Sequence, residues 1–138
     1  MAIPTPPSSI TVRAIQLTTN LQLWIKVLPR LFGSKTRNYR RLYLDIALYS
    51  NRAGSITFNV LRLNPYNGAQ TAVVTNHQVT FSESGTYTTK IDVEATHGGF
   101  WIYSLHVDGI SGSPVPTVHL TGLWVGIDEY YNYGSDTV

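Results

Sequence analysis

Within residues 29–41 five cations, Arg30, Lys35, Arg37, Arg40 and Arg41, stand close together, with Phe32 and Tyr39 interleaved and Gly33 between them. A guanidinium is a planar, permanently charged fork that meets phosphate or carboxylate oxygens two at a time. Three uses are open to such a segment. It can contact nucleic acid, with forks on phosphates and rings stacked on bases. It can contact another subunit, with the same forks on carboxylates. It can also be a solvated loop that happens to be basic.

The chain supplies the second use with a partner of its own. Residues 126–138 read GIDEYYNYGSDTV, which sets Asp128 and Glu129 beside Tyr130, Tyr131 and Tyr133. Tyrosines bury a large area when docked, so this tail is expected to lie against a surface, in cis or in trans. The charge layout points the same way. Residues 1–70 hold nine basic groups against the single acid Asp45, and residues 71–138 hold Lys90 against seven acids. The whole carries only +2, small for a nucleic-acid binder, which usually has a strongly basic face. Subunit contact is therefore the favoured expectation. It would run through Arg30, Lys35, Arg37, Tyr39, Arg40 and Arg41 on one side and Asp128, Glu129, Tyr130, Tyr131 and Tyr133 on the other.

Catalytic constellations are sparse. Metal ligation needs matched ligands on one face, and only Asp92-x-Glu94 and His106-x-Asp108 offer two. They read as surface residues near strand ends. The serine in Gly109-Ile110-Ser111-Gly112-Ser113 lacks the G-x-S-x-G pattern and the helix that must follow it. Asp45 sits mid-strand, but nothing in the sequence pairs it with a second carboxylate for glycoside hydrolysis. No phosphate-cradling glycine loop occurs. No catalytic residue, no metal and no cofactor is expected, and the chain reads as non-enzymatic.

Aromatic side chains are the remaining resource, with Trp24, Trp101, Trp124 and nine tyrosines. Trp24 alternates away from Leu23 and Ile25, and Tyr43 and Tyr49 share the polar face of their strand. Exposed together, Trp24, Tyr43 and Tyr49 would form a stacking platform for a glycan. They could equally anchor a protein interface or fill space beneath a terminal arm.

These side chains need a scaffold, and the hydrophobic periodicity names it. No stretch carries apolar residues at i, i+3, i+4 and i+7 free of turn residues. Period-two alternation recurs instead, as in Leu42, Leu44, Ile46 and Leu48 or in Ile56, Phe58 and Val60. Such runs give one face to a core and the other outward. Turn clusters such as Asn64-Pro65-Tyr66-Asn67-Gly68 and Ser82-Glu83-Ser84-Gly85 separate them. The spacing predicts about nine strands: 10–16, 21–28, 42–49, 55–63, 69–74, 77–81, 86–93, 100–107 and 117–125. Short strands between regular turns indicate an all-β antiparallel sandwich of jelly-roll type.

Composition agrees. Of 138 residues, 43% are apolar and 13% charged, against roughly 25% charged in ordinary domains, which excludes a disordered chain. There is no cysteine, so disulfides, zinc–thiolate sites and thiol nucleophiles are excluded. No apolar run reaches the ~18 residues of a membrane span, and the first residues do not read as a secretory signal. Residues 1–9, with Pro4, Pro6 and Pro7, read as an extended arm, residues 10–125 as the sandwich and residues 126–138 as an acidic, tyrosine-rich tail.

The stretch Gly85-Thr86-Tyr87, Ile91-Asp92-Val93, Phe100-Trp101-Ile102 and Leu105-His106-Val107-Asp108-Gly109 resembles the penultimate hairpin of jelly-roll modules. It covers about 25 residues, all of them scaffold positions. Carbohydrate-binding modules share this shape, as do capsid, decoration and spike proteins of virions. With the low charge and the proline arm, the resemblance to a virion subunit implies an assembly protein located in the virion, with a cytoplasmic protein as the alternative. Its expected partners are copies of itself or other virion subunits. A glycan is the second expectation, nucleic acid is less favoured, and no membrane partner is expected.

Overall fold

A computed structural model describes residues 14–27, 38–97 and 101–131, with side-chain surroundings for residues 14–26, 42–93 and 102–126. The proline arm 1–9, residues 10–13 of the first expected strand, and Arg30, Lys35, Arg37 and Tyr133 lie outside the described residues. Eight strands follow in order: β1 (Ile15–Leu17), β2 (Gln22–Val27), β3 (Asn38–Ser50), β4 (Gly54–Leu63), β5 (Gln70–Phe81), β6 (Gly85–His97), β7 (Trp101–Ser111) and β8 (Val118–Tyr131). They form two four-stranded sheets, β1-β8-β3-β6 and β2-β7-β4-β5, in which every neighbouring pair is antiparallel. The architecture is an all-β antiparallel sandwich.

The alternation expected from the sequence sets the inner faces. Leu42, Leu44, Ile46 and Leu48 of β3 are buried, while Asp45 between them and Tyr49 after them are exposed. Ile56, Phe58 and Val60 of β4 and Tyr103, Leu105 and Val107 of β7 face them from the other sheet and complete the core. Val79 and Phe81 of β5, Ile91 and Val93 of β6, and Val118 and Leu120 of β8 close it on either side.

Connections rest on short polar loops. In the β4–β5 turn the Asn64 Oδ1 accepts from the Tyr66 amide at 2.9 Å and the Gly68 amide donates to the Asn64 carbonyl at 2.8 Å. Asn51, after β3, pins the approach to β8: its Oδ1 accepts from the Thr117 amide at 2.8 Å.

Three expectations are corrected. The two strands expected at 69–74 and 77–81 are one strand, β5. Thr75 and Asn76 form a bulge opposite Asn59 rather than a turn, with Asn76 at φ 60° and its amide donating to Asn59 Oδ1 at 3.0 Å. The strand expected to begin at Leu42 begins at Asn38, so Tyr39, Arg40 and Arg41 belong to β3 and not to a loop. The strand expected to end at Val125 runs on to Tyr131, so the first six residues of the supposed tail are the end of β8.

Candidate functional site

The extension of β3 and β8 changes the basic and acidic segments. The register sets Arg40 opposite Glu129, Arg41 opposite Asp128 and Tyr39 opposite Tyr130. Segments expected to grip a neighbouring copy thus lie side by side in one sheet of one chain. Asp128, Glu129, Tyr130 and Tyr131 are strand residues beside β3, not a free arm.

The glycan platform also comes apart. Trp24 lies on β2 in one sheet, and Tyr43 and Tyr49 lie on β3 in the other. All three alternate away from the core, so Trp24 points from one side of the sandwich and the tyrosines from the opposite side. A single ligand cannot stack on all three.

A different set converges around β3. Asp45 stands directly between Trp124 on β8 and Lys90 on β6. These three, with Ile46, Thr88 and Thr89, line a surface groove of about 340 Å³. Trp124 is 50% exposed. Its six-membered ring lies over Gly122, where a Cβ would come within 2.5 Å of Cη2. The ring therefore depends on a residue without a side chain two positions earlier. Next to it the Tyr43 ring covers Gly126 in the same way, with a Cβ there 2.1 Å from Cε2. The Lys90 ammonium sits over that tyrosine ring, 4.1 Å from its centre, a cation–π contact that orients it.

Sequence reasoning missed Trp124 for a specific reason. Strict alternation from Val118 and Leu120 carries Gly122 and Trp124 to the core face. The ladder shifts instead, with Ala47 opposite Gly122 and Leu48 opposite Leu120, so Thr121 is an extra residue in β8. That bulge reverses the parity of everything after it and turns Trp124 outward. Gly122 beside a threonine is the only trace of it in the sequence.

The other sheet has its own outward feature. Trp24, 51% exposed, lines a groove of about 470 Å³ with Lys26, Leu63 and Ile102. Ser104 stands opposite both Trp24 and Leu61, and its hydroxyl is buried with no hydrogen-bond partner among the described residues.

Among the described residues no group of three His, Asp or Glu side chains is placed to hold a metal ion. Val107 pairs with Phe58 and Gly109 with Thr57, so Asp108 is itself a bulge residue, and the His106 Nδ1 lies 3.4 Å from the Asn59 amide nitrogen. No helix among the described residues is long and apolar enough to cross a membrane. Comparison of the chain with family models, with curated proteins and with solved structures finds no match.

Proposed function

We propose that this chain is a non-enzymatic structural subunit that assembles with copies of itself, of the kind from which virion shells and their decorations are built. One observation carries the reading: the outward face of the β2-β7-β4-β5 sheet is apolar around Trp24, where a solitary sandwich would present polar residues to water. Trp24, Leu63 and Ile102 come from three adjacent strands, and Lys26 lines the same groove. Apolar outward patches with a polar rim are where soluble proteins meet partners. Covering roughly 100 Å² of indole per copy, at about 25 cal/mol per Å², contributes roughly 2.5 kcal/mol for that side chain alone.

The strand order gives further support. β1 pairs with β8, β2 with β7, β3 with β6 and β4 with β5. This nesting is what results when one long hairpin is rolled into two layers, the winding of an eight-stranded jelly roll.

The assembly contact moves, however, from the acidic tail to the sheet face. Light scattering with size exclusion over a concentration series tests it. The wild-type chain is expected to associate as concentration rises, and Trp24→Glu is expected to remain a folded monomer by circular dichroism. A wild-type chain that stays monomeric throughout, or a Trp24→Glu variant that associates equally well, refutes the proposal.

A further inference from the structure

We infer that the groove across the β1-β8-β3-β6 sheet, lined by Trp124, Asp45 and Lys90 side by side on three adjacent strands, is a binding site for a neutral sugar. This does not rest on the assembly reading, whose surface is the opposite sheet.

A pyranose ring has two chemical sides. Its C–H groups gather on a face that packs against an aromatic plane, and its hydroxyls project at the rim, each able to donate and to accept a hydrogen bond. The groove offers both complements in one row of three adjacent strands. Trp124 supplies a half-exposed indole held over Gly122. Asp45 supplies acceptor-only oxygens that can take two adjacent hydroxyls, and Lys90 supplies donors only. Thr88 adds a hydroxyl that does either. From Trp124 to Lys90 is two strand spacings, about 10 Å, which accommodates one sugar ring lying across the sheet.

Preorganisation is visible on both sides of the groove. The indole cannot swing inward without crossing its own sheet, and the ammonium is held over the Tyr43 ring at 4.1 Å. Rigid partners lose little freedom when a ligand arrives.

Charge selects among ligands. The groove carries one carboxylate and one ammonium, which cancel, and Asp92 stands opposite Tyr43 on the exposed face of β6 next to Lys90. A phosphate or uronate placed on the indole would face Asp45 directly. A neutral hexose or pentose meets no such repulsion.

The experiment is a fluorescence and calorimetric titration of the intact chain with neutral gluco-, xylo-, manno- and galacto-oligosaccharides, and with an oligogalacturonate as the anionic counter-probe. At least one neutral probe is expected to bind and to shift the tryptophan emission. Trp124→Ala and the near-isosteric Asp45→Asn are each expected to weaken it at least tenfold. Tyr66→Ala, in the β4–β5 turn, is expected to leave it unchanged. Absence of binding by every neutral probe overturns the proposal, as does tighter binding of the anionic probe. So does affinity that survives both Trp124→Ala and Asp45→Asn. If Trp124→Ala instead abolishes self-association while no sugar binds, the face is a protein contact and the proposal falls; self-association lost only in Trp24→Glu leaves the assembly reading standing by itself. Should Trp124→Ala fail to fold, Asp45→Asn together with Lys90→Met decides the matter.

Discussion

The Nε2 of His77, on the edge strand β5, lies 2.7 Å from the Oγ1 of Thr89 on β6, the edge strand of the other sheet. This bond ties the two layers together along one open side of the sandwich. Burial penalises the imidazolium, so the pKa of His77 is held below the ordinary 6.5.

A pH dependence of stability follows from that shift. The unfolded chain takes up the His77 proton near pH 6.5, whereas the folded chain resists it until lower pH, so between the two the unfolded state binds more protons. Stability from this group is fully present above about pH 6.5 and declines as pH falls through that value toward the folded pKa. Urea midpoints across this range are expected to fall for the wild-type chain, with a shallower slope for His77→Gln. Identical slopes would show that His77 is not the cause.

Ser104 makes an unusual expectation. A buried hydroxyl without a partner costs about 1–3 kcal/mol in lost hydration, so deleting it is expected to help. Ser104→Ala should raise stability by about 1 kcal/mol, in contrast to most substitutions at buried positions. Chemical denaturation reads this directly, and a clear loss of stability would mean that the oxygen is satisfied after all.

Asn76 is held at φ 60°, a conformation that costs an ordinary residue roughly 1–2 kcal/mol and glycine almost nothing. Asn76→Ala is expected to lower the thermal midpoint, and Asn76→Gly to lower it by less. Equal effects would place the importance of this residue in its side chain rather than in its backbone.

Removal of residues 126–138 is expected to destabilise the single chain, because Gly126 through Tyr131 pair with Tyr43 back to Asn38. A thermal melt at dilution, where association is absent, separates this from a tail that only links copies. A truncated chain with an unchanged melt but weakened assembly would restore the linking role.

Much of the scaffold could be read directly from residue order. The inward sets of β3, β4 and β7 follow from alternation, which is a local property of a pleated chain. The ends of β3 and β8 were not legible. Arg40, Arg41, Asp128 and Glu129 are charged enough to resemble loop and tail, and only their mutual alignment makes them strand. The break between residues 74 and 77 misled for a related reason: Thr75-Asn76 has turn chemistry, and the Asn59 side chain that satisfies the Asn76 amide is 17 residues away. Of the candidate site, Trp24 was correctly read as facing away from Leu23 and Ile25, and Tyr43 and Tyr49 as sharing a face.

Residue order by itself determined a cysteine-free, all-β chain with the core-facing side chains of β3, β4 and β7 already sorted from the rest. Tertiary structure alone decided which strands share a sheet, and so parted Trp24 from Tyr43 and brought Asp45 between Trp124 and Lys90. The reason is one of range. Side-chain alternation is set residue by residue. Strand pairing is set by contacts between distant segments, and a single extra residue such as Thr121 turns every later side chain to the opposite face.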